Sequence, residues 1–180
     1  WVSKMETLSI LYEGLNKRRR GYGGISGKDM EIIAQGLREV VDLRYLRHRT
    51  GQVRYFHECL KEIGIPLICP PGGHAVYVDA AAFLPQIPQN HFPGHALAVE
   101  LYRRGGIRSV EIGSLMFGKT AERELVRLAI PRRVYEQGHF DYAVKVFAAI
   151  QPYAKRLCGF QITEGADDPA RHFSCKLKPL

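Results

Sequence analysis

The hydrophobic period of this chain keeps switching between the two residues of a strand and the 3.6 of a helix, and that switching constrains its fold most. Short apolar runs stand at Leu8 to Tyr12, Ile65 to Cys69, His74 to Asp79, Ile107 to Ile112, Leu125 to Ile130 and Phe160 to Thr163. Between them, Met30, Ile33, Leu37 and Val40/Val41 recur at helical spacing behind Ser26, an N-cap with Asp29 in the capping-box position. Leu46, Val53, Phe56, Leu60 and Ile63 form a second stripe, which ends at Gly64, where a left-handed C-terminal glycine belongs. The two stripes are one bent rod or two helices. Ala96 to Arg104, stopped by Gly105-Gly106, and Phe140 to Ile150, with Phe140, Val144, Phe147 and Ala148 on one face, complete the helices. Pro85 to Pro93 carries three prolines and is expected to be loop. His172 to Leu177 reads as a strand with Phe173, Cys175 and Leu177 on its apolar face. Helices separated by short strands predict an α/β fold, a small sheet covered by helices. The first 25 residues look like the tail of a different domain, which places the boundaries at 1–25 and 26–180.

With 180 residues, 46% of them hydrophobic, the chain has material for one compact domain and too much apolar content for a disordered tail. Its 26 Lys+Arg against 18 Asp+Glu give a net charge of +8, which attracts a polyanion only where the cations cluster. Lys17-Arg18-Arg19-Arg20 is the one true run, so nucleic acid is an unlikely partner and a solvated loop the expected reading. No apolar stretch approaches the ~20 residues of a membrane helix and no signal peptide is seen, so a cytoplasmic location without membrane contact is expected. Cys59, Cys69, Cys158 and Cys175 are widely spaced without a CxxC pair and are expected to be buried free thiols. The chain begins at Trp1 and not at methionine, as a piece of something longer would.

Three features carry possible chemistry. His74 follows Gly72-Gly73 at a strand start, where backbone can approach a ligand closely, although a turn with a satisfied histidine fits as well. His91 and His95 are spaced for a metal on a helix, but Pro93 between them and the lack of a carboxylate argue against a metal site. Arg127 sits mid-strand among apolar neighbours. A guanidinium there needs an acceptor, and a structural ion pair and a bound carboxylate satisfy that need equally. Arg132-Arg133 reads as a surface pair. No phosphate-binding glycine loop and no serine or cysteine nucleophile motif is present.

The stretches Gly72-Gly73-His74-Ala75-Val76-Tyr77-Val78-Asp79, Gly106-Ile107-Arg108-Ser109-Val110-Glu111-Ile112-Gly113-Ser114 and Arg127-Leu128-Ala129-Ile130-Pro131-Arg132, in this order, resemble the C-terminal part of the tryptophanase and tyrosine phenol-lyase family. Arg171-His172-Phe173 and Tyr22-Gly23-Gly24 extend the likeness from about Leu8 to Leu177. The resemblance implies the small domain of a pyridoxal-phosphate lyase of the aspartate aminotransferase fold type, with residues 1–25 ending its large domain. It implies β-elimination from an aromatic amino acid, a homotetramer, and a monovalent cation such as potassium. Arg127 takes the place of the arginine that binds the substrate carboxylate, and His74, Tyr22 and Phe173 join it as substrate-site residues. Ile112 stands where tyrosine phenol-lyases carry an arginine, and His172 where they carry phenylalanine; both choices resemble tryptophanase. The family's Schiff-base lysine lies upstream of the matched segment, and Lys4 is not that lysine, so the chain alone is expected to be inactive. Residues 16–21 are longer and more basic than the family's link to Tyr22. A non-catalytic domain that holds an anion or nucleic acid through this loop is the alternative.

Overall fold

A computed structural model describes residues 26–168 and 170–180. The expected strand Leu8 to Tyr12, the basic run Lys17 to Arg20 and Tyr22 lie outside the described residues. The chain divides into two compact units, Trp1–Asp42 and Leu43–Leu180. In the first, helix α1 (Gly27–Glu39) begins as expected: the Asp29 N–H donates to Ser26 Oγ at 3.2 Å. Serine at this position satisfies an amide that the helix cannot.

The second unit opens with α2 (Leu43–Glu62), a helix of its own. Its buried residues Arg49, Val53, Phe56, His57 and Leu60 recur at helical spacing, and Gly64 ends it at φ +79°. Three strands follow, β1 (Ala75–Asp79), β2 (Val110–Ile112) and β3 (Leu125–Ala129), in an antiparallel sheet of order β1-β3-β2. Between β1 and β2 lie a single turn α3 (Ala80–Phe83) and the helix α4 (Pro93–Gly105), and between β2 and β3 the turn α5 (Ser114–Phe117). Helix α6 (Gln137–Ile150) is followed by the two-stranded antiparallel ribbon β4 (Phe160–Glu164) and β5 (Lys176–Pro179), with the turn α7 (Arg171–Ser174) before β5. The small α/β architecture is the expected one.

The register explains the layering. Val76 pairs with Leu128 and Val78 with Val126, and all four side chains are buried in one core with Val53, Phe56, Leu60, Leu97, Leu101, Phe140, Phe147 and Ile150. The sheet thus gives one face to α2, α4 and α6. Helix α6 meets α2 through Phe140, stacked on Phe56 at 5.3 Å between ring centroids. Arg49, itself buried, ties α2 to one end of the β1–β3 pair, where β1 starts and β3 stops, by donating to the carbonyls of Pro131 and His74 at 3.4 and 3.5 Å.

Several local expectations change. Ile65 to Cys69 forms no strand; only Leu67 bridges Val78, because Pro66 has no amide to donate. Strand β2 begins at Val110 and not at Ile107. Pro93 opens α4 at the first helical position, where its missing N–H costs nothing. On α6, Val146 and Ile150 are buried while Ala148 is exposed. His172 to Leu177 is not one strand. Asp168 accepts from the Ala170 amide at 2.8 Å and from Ser174 Oγ at 2.7 Å, which winds residues 171–174 into a turn and delays the strand to Lys176. Phe173 consequently points outward, 85% exposed. The four thiols are free, but none is buried: Cys59 and Cys175 are half-buried, Cys69 and Cys158 exposed. Among the described residues no helix is long and apolar enough to cross a membrane.

Candidate functional site

Alternation along the sheet puts Tyr77, Arg127 and Val110 in one cross-strand row on the face opposite the core. Ile112 pairs with Leu125, two residues before Arg127, so Ile112 and Arg127 are diagonal neighbours on that face. Both are half-buried. The guanidinium Nε of Arg127 is buried and has no hydrogen-bond partner among the described residues. Buried polar atoms are almost always paired, so an orphaned guanidinium donor on this face calls for an acceptor from outside.

The turn α7 is fastened next to this row. The Arg171 guanidinium donates through Nε to the Leu115 carbonyl at 2.8 Å and through Nη2 to the Ser114 carbonyl at 2.5 Å, three and two residues after Ile112. This brings His172 and Phe173, whose rings lie 4.0 Å apart, to the β2–α5 junction. His172 Nδ1 is a second buried atom without a hydrogen-bond partner among the described residues. Of the expected site residues, the structure therefore gathers Ile112 and Arg127 on one face, with the turn of His172 and Phe173 anchored beside them. His74 stands apart, three residues beyond Tyr77 at the other end of the sheet. Its carbonyl accepts from the Ile130 amide at 2.9 Å, and its side chain is exposed. His91 lies in a single turn (Gln89–His91), and His95 packs its ring edge-on against Phe160 at 4.9 Å. Burial lowers the pKa of His95. Among the described residues no group of three or more His, Cys, Asp or Glu could hold a metal ion. Arg132 and Arg133 form the expected surface pair, with Arg132 over the Tyr45 ring at 4.9 Å.

Sequence reasoning missed a pair of acids beneath this site. Glu111 and Glu124 are only 7% and 3% exposed, and the neighbouring backbone donates to them: Leu115 N–H to Glu111 Oε1 at 3.1 Å and Ser114 N–H to Glu124 Oε1 at 2.8 Å. Burial pushes the Glu111 carboxyl up to about 7, with the Glu124 charge adding to the rise and Arg171 opposing it. Alternation on β2 was the available signal, since it puts Glu111 on the core face between Val110 and Ile112.

No pyridoxal-phosphate site fits the described residues. The cofactor needs a lysine amine held in a desolvated position, and Lys28, Lys61, Lys119, Lys145, Lys155, Lys176 and Lys178 are all exposed.

The described residues define a small α/β domain with an arginine, unpaired among them, beside an aliphatic side chain on one sheet face. Comparison with known proteins makes this specific. The chain is 48% identical over 99% of its length to the tryptophanase of Salinibacter ruber and 43% identical over 99% to that of Hyphomonas neptunium. It is 47% identical over 81% of its length to the tyrosine phenol-lyase of a Symbiobacterium species. It spans 38%, 40% and 33% of the lengths of these relatives. No family model matches. The chain belongs to the tryptophanase and tyrosine phenol-lyase family and corresponds to a C-terminal portion of it.

Proposed function

We propose that this chain is the substrate-holding part of a tryptophanase-like lyase of the aspartate aminotransferase fold type, which splits L-tryptophan into indole, pyruvate and ammonium. The observation that carries the reading is the orphaned Nε of Arg127 on the open sheet face, in a chain whose relatives are named for amino-acid substrates. A guanidinium presents two parallel N–H donors that match a carboxylate, and each such charge-assisted bond is stronger than a neutral one. Fixing the carboxylate fixes the direction of the substrate's Cα–H bond, and orientation of this kind supplies a large share of a rate enhancement. Residues 1–25 belong, in this reading, to the end of the large domain. Pyridoxal phosphate supplies the carbanion chemistry from residues outside those described, and a tetramer and a potassium-like cation enter on the resemblance alone.

Ile112 and His172 set the substrate. An aliphatic side chain diagonal to Arg127 suits the apolar face of an indole, whereas a phenol hydroxyl buried against it would lose its partner. In the longer lyase polypeptide, kcat/KM for L-tryptophan is expected to exceed that for L-tyrosine by about 10-fold or more. The reverse ratio would assign the chain to the tyrosine phenol-lyase branch, whose members are comparably similar in sequence.

The exposed lysines lead to a second expectation. Pyridoxal phosphate added to the 180-residue chain and then borohydride should leave no single lysine stoichiometrically labelled. Stoichiometric labelling of one lysine, located by peptide mass, would contradict the absence of a cofactor lysine here.

A further inference from the structure

The buried acids are arranged as one half of a clamp. Ser114 gives its N–H to Glu124 and its carbonyl to Arg171; Leu115 gives its N–H to Glu111 and its carbonyl to Arg171. The backbone of these two residues is thus gripped by two carboxyl groups through its N–H groups and by a guanidinium through its carbonyls. The acids are immediate neighbours. A Cβ placed on Gly113 would lie 2.6 Å from Glu124 Oε2 and 2.7 Å from Glu111 Oε1, and one on Gly94 would lie 3.0 Å from Glu111 Cγ and 3.7 Å from Glu124 Oε2. A side chain at Gly113 would displace both carboxyl groups and one at Gly94 would press on Glu111, so the backbone lies close against the pair. Glu111 Oε2 and Glu124 Oε2 are buried and have no hydrogen-bond partner among the described residues.

We propose that Glu111 and Glu124 share one proton, carried by Glu111, and that with Arg171 they are positioning residues that lock the strand end bearing Ile112 to the turn bearing His172 and Phe173. Two adjacent carboxylates buried without solvent repel each other and leave two acceptors unused. One proton removes a charge and lets a Glu111 O–H donate to Glu124, which satisfies both oxygens at once. The remaining negative charge stays on Glu124, whose Oε1 accepts the Ser114 N–H. Among the described residues no charged side chain hydrogen-bonds to the pair: α4 contributes backbone at Gly94, and the neighbouring His95 turns its ring to Phe160. Lys119 lines a cavity beside Arg171.

The elevated pKa of Glu111 is consistent with this arrangement and gives it a pH window. The carboxyl is harder to ionise in the folded chain than in the unfolded one. Its contribution to stability is therefore complete below about 4.5, its ordinary value, and is lost as pH rises toward about 7.

The inference rests on the lyase reading only for the purpose of the clamp, and its test needs no substrate. In the 180-residue chain labelled with 13C at glutamate Cδ, one resonance should titrate near pH 7, well above the other glutamates. The Ile112 methyl and Arg171 Nε–H resonances should move in the same step. Glu111→Gln, whose amide can donate to Glu124 as the protonated acid does, should keep the Arg171 Nε–H in place, abolish the step, and remove the fall in urea midpoint between about pH 4.5 and 7. If every glutamate titrates below about pH 5.5, or the step shifts on adding potassium or calcium, the shared proton is wrong. If the Cδ step occurs but Ile112 and Arg171 do not follow it, the positioning role is wrong. Either failure leaves the carboxylate reading of Arg127 untouched. Should Glu111→Gln fail to fold, the wild-type titration decides.

Discussion

Replacing Arg127 by alanine in the longer lyase polypeptide is expected to lower kcat/KM for L-tryptophan by about 10²- to 10⁴-fold, with a raised KM as the larger part. The magnitude follows from two charge-assisted hydrogen bonds, each worth about 1.5–3 kcal/mol, where 1.4 kcal/mol is roughly a factor of ten. A fall in kcat beyond the change in KM would report lost orientation of the Cα–H bond. Arg127→Lys should recover only part of the loss, because an ammonium cannot present the parallel pair. The alanine variant should fold normally. Arg127 lies on the face opposite the core and its Nε bonds no described residue, so thermal unfolding should change little. Unchanged steady-state kinetics for the alanine variant would remove Arg127 from the site.

Phe147→Ala should have the largest effect on stability, about 3–5 kcal/mol in a urea unfolding experiment. Phe147 is fully buried in the last turn of α6, with its ring edge-on to Phe83 at 6.3 Å and in the same core as Val76, Val126 and Leu128. Truncation removes the transfer energy of the ring and leaves a cavity that helices held on three sides cannot close. Domains of this size are stable by about 5–15 kcal/mol, so the variant should be largely unfolded at modest denaturant. A change below about 1 kcal/mol would mean that residues 43–180 do not pack around this core.

The parts of the fold that local pattern determines were legible in the sequence. Ser26 and Gly64 mark a helix start and a helix end because capping needs only neighbouring atoms, and Val76/Val78 and Val126/Leu128 mark strands because alternation is a backbone property. What escaped depends on distant partners. Phe173, Cys175 and Leu177 alternate as a strand should, yet Asp168 captures the backbone first and Arg171 reaches 56 and 57 residues back to the Leu115 and Ser114 carbonyls, so a turn forms. The same long-range bonds explain why His172 and Phe173 come to the β2–α5 junction while His74, expected in the same site, stands at the far end of the sheet. Arg127 was legible as a cation in need of an acceptor, with the acceptor undecided; the orphaned Nε favours one supplied from outside. Glu111 and Glu124 are separated by a turn and a loop, and nothing local pairs them. Only the sheet register and the glycines at 94 and 113 bring them together.

The most direct test of the carboxylate clamp is a crystal structure of the longer lyase polypeptide with L-tryptophan or a non-reacting analogue bound. Two N–H···O contacts of about 2.8 Å between the Arg127 guanidinium and the ligand carboxylate, with the indole against Ile112, are predicted. A carboxylate held by other residues, with Arg127 turned away, would contradict the account.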